Sequence, residues 1–292
     1  MKKLHYKVAG HLLEINFVDA HNDESVLPSS APFATEEEGE LALDITVDDS
    51  FRLTTHGKEV GQFDCGGCNH GVYLMDDGSY QFEVSDVDGT LCSVMESSAD
   101  FRRNRVAILA DGFSKRNFGL NNCVMMAFAF ATATEQTLLM HASVIRKDGY
   151  AYAMTAPSGT GKSTHTYLWY KNIPGCDLMN DDNPVIRIVD GVPTLFGSPW
   201  SGKTPCYRNI SAPLGAMVCI KQMPRNEIQQ LPVLQAFSLL LPAMSTMKWD
   251  KRVYTSVCDT ISAVLGSVKV YELGCLPDAE AAQLCYTTVR AK

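Results

Sequence analysis

The sequence predicts an α/β (α+β) protein in which a phosphate-loop core with a mixed β-sheet follows a mainly β N-terminal region. Three observations carry that expectation. Residues 156–164 read Ala-Pro-Ser-Gly-Thr-Gly-Lys-Ser-Thr, the form of a loop that cradles phosphates. Apolar, β-prone runs precede it, and a breaker-free stretch suited to a helix follows it. Residues 41–108 carry turn signals at short, regular intervals, as antiparallel strands require.

Taken in order, Leu4, Tyr6 and Val8, then Leu13, Ile15 and Phe17, alternate as strands do. A polar loop spans Asn22 to Glu40, with Pro28, Pro32 and the solvated acidic cluster Glu36-Glu37-Glu38. From Leu41 to Ile108, Asp48-Asp49, Gly57, Asp76-Asp77-Gly78 and Asp88-Gly89 punctuate several short β-like runs. The texture changes near residue 112, and the division is expected at 1–115 and 116–292. Asn117–Thr134 is long, apolar and alanine-rich, and predicts a buried helix. Leu138–Ile145 and Tyr150–Met154 predict two strands joined at Asp148-Gly149, a hairpin pair that tolerates positive φ. Ser163–Lys171 predicts a helix of two to three turns, stopped by Pro174-Gly175. Asp177–Asn180 is a short strand leading to Asp181-Asp182. Val185–Val189 and Val192–Phe196 form a hairpin over Asp190-Gly191, and Gly215–Lys221 is a further strand. Later helices are expected at Leu234–Met247, bent at Pro242, and at Val253–Leu265. A last helix starts around Pro277, where proline suits the first turn and Asp278 and Glu280 favour the positive helix end.

Bulk properties exclude several classes. The chain has 292 residues, 46% of them hydrophobic, enough for a large core in one elaborate domain or two ordinary ones. Its net charge is −8 and its longest basic tract is Arg102-Arg103-Asn104-Arg105, which argues against nucleic acid as a partner. His11, Glu14, Asn16 and Asp19 interrupt any signal-peptide core after Met1-Lys2-Lys3. No run of 18 apolar residues suggests a membrane span. Ten cysteines are scattered. The one tight pair, Cys65-Gly66-Gly67-Cys68 with His70 behind it, lacks the second pair that a zinc site needs. A cytoplasmic location with reduced thiols is expected.

The candidate chemistry centres on the loop. Ser158, Gly159, Thr160, Gly161, Lys162, Ser163 and Thr164 are the candidate phosphate-binding residues, their loop aiming consecutive backbone N–H groups at a polyphosphate, with Lys162 neutralising it and the Ser163 hydroxyl on Mg²⁺. Ala156 stands where the strict pattern has glycine, a mild departure that costs only conformational freedom and clearance. Asp181 and Asp182 follow about 20 residues after Lys162, and adjacent carboxylates at a strand end can serve one as metal ligand and one as base. Which acid does which is open. His141 can orient an aspartate, bind metal or shuttle a proton, and is otherwise a satisfied core residue. Lys203, in Ser198-Pro199-Trp200-Ser201-Gly202-Lys203, can place a point charge on a transferring phosphoryl group, with Arg208 a weaker candidate.

The order His141, Ala156–Thr164, Asp181-Asp182 resembles the superfamily of HPr kinase/phosphorylase and ATP-dependent phosphoenolpyruvate carboxykinase. Met140-His141-Ala142-Ser143 and Ser158–Ser163 look like the carboxykinase's histidine segment and kinase loop, and Asn180-Asp181-Asp182 looks like the paired aspartates of both families. The resemblance covers roughly residues 115–225. A carboxykinase also uses a metal-binding lysine before the histidine, and Asn117–Met140 has none. The resemblance therefore implies the kinase branch: an ATP- and Mg²⁺-dependent phosphotransferase acting on a serine hydroxyl of a protein or peptide. HPr kinases form hexamers, so a homo-oligomer is compatible, although no interface residue follows. Other readings are a non-catalytic ATP-binding regulator and a carboxykinase-like small-molecule enzyme.

Overall fold

The computed structural model describes residues 2–53, 55–64, 67–202 and 204–290. It is a mixed α+β protein of two compact units, Met1–Thr132 with Met247–Lys251, and Ala133–Thr246 with Arg252–Lys292. Among the described residues, no helix is long and apolar enough to cross a membrane.

The first unit contains β1 (Lys2–Val8), β2 (His11–Phe17), β3 (Leu41–Val47), β4 (Lys58–Asp64), β5 (Asn69–Leu74), β6 (Tyr80–Ser85), β7 (Leu91–Ser97), β8 (Arg103–Ile108) and α1 (Phe113–Thr132). One sheet holds the strands in the order β1-β2-β3-β8-β7-β6-β5-β4. Its pairings are antiparallel except β2/β3 and β3/β8, which are parallel. The expectation of a mainly antiparallel sheet thus needs one amendment. The polar connection from Val18 to Glu40 carries two 3₁₀ turns, Glu24–Val26 and Pro28–Phe33, and is long enough to bring β3 back beside β2 in the same direction. α1 lies on this sheet, with Cys123, Ala127, Phe128 and Phe130 buried. Phe130 stacks within a ring cluster of Phe82 and Phe101. Contacts therefore divide the chain after Thr132 and not at 115/116, because the apolar helix expected to open the second part closes the first.

The second unit contains β9 (Thr137–Leu139), β10 (Ala142–Lys147), β11 (Tyr150–Thr155), α2 (Lys162–Asn172), β12 (Asp177–Asp182), β13 (Val185–Val189), β14 (Val192–Phe196), β15 (Ser211–Gln222), β16 (Glu227–Gln230), α3 (Val233–Leu240), α4 (Lys251–Leu265), β17 (Lys269–Cys275) and α5 (Ala279–Val289). Its mixed sheet runs β12-β10-β11-β15-β14-β13-β9, with β17 pairing β15 in parallel and β16 at the edge of β17. The core sits between sheet and helices. Trp169 of α2 is fully buried, its ring 5.4 Å from that of Tyr152 on β11 and 5.5 Å from that of Tyr286 on α5.

Three expectations change here. The apolar run Leu138–Ile145 is two strands, broken at Met140-His141, where the backbone N–H groups leave the sheet to donate to Pro184 and Ala243 carbonyls. The helix expected over Leu234–Met247 ends at Leu240 and tightens into a 3₁₀ turn, Leu241–Ala243, because Pro242 has no N–H to continue it. β16 and β17 were not anticipated from the sequence, and they complete the sheet.

Candidate functional site

The site grows from strand directions. β11 and β12 both run antiparallel to β10, which lies between them, so their C-terminal ends emerge on the same edge as the start of β10. Ala142 pairs with Asp182, and Ser143 pairs with both Asp181 and Met154. His141, Thr155 and Asp182 are therefore neighbours by register. Ligands of α/β sheets settle at carboxyl ends of strands such as these.

β11 runs into the loop 156–161, and α2 starts at Lys162. Gly159 (φ 77°) and Gly161 (φ 117°) take left-handed backbone that other residues enter only at a cost. Gly161 is the N-cap of α2 and offers no side-chain acceptor, so the amides of the first turn meet no capping group. Such a helix start favours an anion. The loop is tied down at Thr160, whose N–H donates to Pro157 and whose carbonyl accepts from Gln222 Nε2. Ser158, Gly159, Ser163 and Thr164 face solvent.

Lys162 is nearly buried. Its Nζ donates to His141 Nε2 at 2.8 Å and to the Ala156 carbonyl at 3.0 Å. Burial pulls its pKa below the ordinary lysine value, an effect that the charges of Asp182 and Asp181 partly offset. With Nε2 accepting, His141 carries its proton on Nδ1, which lies 3.0 Å from Asp182 Oδ1. Asn183 Nδ2 donates to the other oxygen of Asp182 at 2.9 Å. The Thr155 hydroxyl donates to the His141 carbonyl and fixes the backbone there. The Ser163 hydroxyl donates to Asp181 Oδ1 at 2.8 Å. Asp181 is buried and Asp182 half-buried, so the two acids differ in their access to water.

The structure thus brings His141, Lys162, Ser163, Asp181 and Asp182 into one hydrogen-bonded patch. Lys203 lies outside the described residues. The loop before it does lean on the acids: Gly202 N–H and the Ser201 hydroxyl both donate to the Asp181 carbonyl. A Cβ on Gly202 would come within 3.2 Å of Asp182 Cβ. Arg208 belongs elsewhere. It pairs with Asp177 at the opposite end of β12, about 15 Å along the strand from Asp182. Of the cysteine motif, Cys65 and Gly66 lie outside the described residues, while Cys68 and His70 are buried.

Several residues hold this arrangement in roles that the sequence did not reveal, although Asn180 and Ser143 stand within its motifs. Asn180, fully buried, donates toward Ser198 Oγ and the Trp200 carbonyl and anchors the 198–202 loop to β12. Ser143 and Thr166 join hydroxyls at 2.8 Å, tying α2 to β10. Thr166 sits one helical turn after Lys162 on the same face, and that spacing is the signal that could have found it.

The donors suit a hard cation: a hydroxyl on Ser163 and a carboxylate on Asp181. Among the described residues, no group of three or more His, Cys, Asp or Glu side chains could hold a metal alone.

No family model matches the chain, and the search of curated proteins gave no match. Among solved structures, the HPr(Ser) kinase/phosphatase from Coxiella burnetii is similar over 52% of this chain and 93% of its own, at 12% identity and a TM-score of 0.31. At that score the likeness carries no functional weight.

Proposed function

We propose that the second unit is an ATP- and Mg²⁺-dependent phosphotransferase that delivers a phosphoryl group to a serine hydroxyl of a protein or peptide. The observation that carries the proposal is the split between the two acids. Asp181 holds the hydroxyl of Ser163 at the helix start, whereas Asp182 is held by His141 and Asn183. On this reading Asp181 is the carboxylate at the metal position and Asp182, oriented by His141 and Asn183, is the base.

Backbone N–H groups of the loop and the first turn of α2 would hold the phosphates, and Lys162 would leave His141 to bridge them. Ser163 and Asp181 would hold Mg²⁺, which screens the charge of the phosphates and of the transferring group. Asp182 accepts the proton of the attacking hydroxyl, and His141 Nδ1–H orients that carboxylate. The serine acceptor rests on the resemblance of the ordered motifs to the kinase branch of that superfamily.

The test is transfer of label from γ-labelled ATP to serine peptides and to proteins encoded nearby. Asp182→Asn is expected to lose about 10²–10⁴-fold in transfer while still binding ATP. Asp181→Asn is expected to need far more Mg²⁺ for the same rate. Equal transfer by wild type, Lys162→Ala and Asp182→Asn would reject the mechanism. Binding of Mg-ATP with no transfer to any acceptor would make the protein a nucleotide-binding regulator instead.

A further inference from the structure

The loop 156–161 has a different neighbour on each flank. In the sheet, β11, which runs into the loop, lies between β10 and β15. On the β10 side stand His141 and, one strand further, Asp181 and Asp182. On the β15 side stands Gln222, the last residue of that strand. β15 is parallel to β11, so Gln222 emerges on the same edge as the loop. Its Nε2 donates to the Thr160 carbonyl at 3.1 Å, across 62 residues of sequence. A carbonyl partner fixes the side-chain amide with its nitrogen toward the loop.

That bond settles the direction of one backbone donor. A trans peptide is flat, and its C=O and N–H point to opposite sides. Holding the Thr160 carbonyl toward β15 therefore sends the Gly161 N–H toward β10, the flank of His141 and the acids. The peptides on either side are tied: the Thr160 N–H donates to Pro157, and the Gly161 carbonyl accepts the first bond of α2 from His165. The Thr160–Gly161 peptide between them is free to turn over. Glycine enters either sign of φ readily, and nothing lies within 4 Å of where a Cβ on Gly161 would stand. Among the described residues, the Gly161 N–H has no hydrogen-bond partner.

We infer that Gln222 is a positioning residue for phosphate binding: it keeps this peptide turned so that the Gly161 N–H joins the amides of the first turn of α2 in facing the phosphates. The inference rests on the reading of the loop as a triphosphate site. The opposite orientation would aim the Thr160 carbonyl oxygen at the phosphates, an acceptor against an anion. One side chain outside the loop motif thus decides whether that peptide presents a donor or an acceptor.

Calorimetry on the full chain, with Mg-tripolyphosphate and with Mg-ATP, tests this. Gln222 is exposed, so its substitution costs no core packing. Gln222→Met keeps the length and loses the donor, and is expected to weaken both probes about three- to tenfold, the worth of one hydrogen bond. Gln222→Glu puts an acceptor there, which favours the turned peptide, and is expected to lose about a further fivefold. Its deficit relative to Gln222→Met should persist at raised ionic strength, where plain repulsion from an exposed carboxylate is screened. The amide resonance of Gly161 reports the peptide directly. In wild type, tripolyphosphate is expected to move it downfield, and in Gln222→Glu to leave it near its ligand-free position. Wild-type affinity in Gln222→Met, a Gln222→Glu deficit that salt abolishes, or a Gly161 resonance that responds alike in all three proteins would overturn the role of Gln222 while leaving the loop reading intact. Failure of wild type to bind either probe would remove the loop reading, and this inference with it.

Discussion

Lys162 is an amine kept almost dry, resting on a neutral imidazole and a backbone carbonyl instead of on a carboxylate. Burial disfavours its charge more than the nearby acids favour it, so it releases its proton below the usual value of 10.5. The sign of the consequence follows. Between its lowered value and 10.5, the unfolded chain binds more protons than the folded one, so ligand-free stability rises with pH through that window. Nucleotide affinity should move the opposite way, because an uncharged amine cannot neutralise phosphate. Titrations of Mg-ATP upward from neutral pH are expected to show affinity falling about 10–100-fold once the charge is lost, at a pH below that of an ordinary lysine. Lys162→Arg, whose guanidinium stays protonated, should give a flat profile. A wild-type profile as flat as that of Lys162→Arg would show that the amine does not face the phosphates.

At the scale of elements, the legible parts of the site are those written in consecutive residues. The loop 156–164 shows itself because phosphate binding needs glycine, lysine and hydroxyl at fixed spacing along one turn. Asp181-Asp182 is legible only in combination with it. The break at Met140-His141 is not, since apolar character continues across it, and only pairing with different neighbours separates β9 from β10. β17 escaped because Lys269–Cys275 is short and follows a helix with no hairpin partner adjacent in sequence. Asn180 and Ser198 stand in motifs the sequence shows, but their role there does not, because it lies in a contact across 18 residues. That contact has a checkable counterpart one residue earlier. Gly197 directly follows β14 and its N–H donates to the Ile210 carbonyl, while a Cβ there would lie 2.0 Å from the Arg208 carbonyl oxygen. Backbone cannot yield as a side-chain tip does. Gly197→Ala is therefore expected to destabilise the protein by about 1–3 kcal/mol in denaturant melts. It should also lower phosphoryl transfer by moving the 198–202 loop off Asp181. Unchanged stability would mean that the strand end adapts freely.

On the scale of the whole molecule, the chain passes between the two units three times, at 132/133, 246/247 and 251/252. The inserted piece is structural: the Trp249 ring lies 5.2 Å from that of Phe63, within the first unit. Neither unit is thus one continuous segment, and cutting at the composition change near residue 112 would strip the first sheet of α1. Every residue proposed to touch nucleotide, by contrast, belongs to the second unit. Ligand that binds only the native form stabilises it by mass action, about 2.7 kcal/mol when present at 100 times Kd. Where that stabilisation appears depends on which openings break the site. Openings that separate the loop from β12 lose the ligand, whereas fraying of β4 or β5 at the edge of the first sheet does not. Hydrogen exchange with saturating Mg-ATP is therefore expected to slow at residues 156–166, 177–183 and 220–222. Amides of β1–β8 should exchange at their ligand-free rates. Protection spread evenly over both units would mean that nucleotide contacts the first unit or that the two open together, and the assignment of the site to the second unit alone would fail.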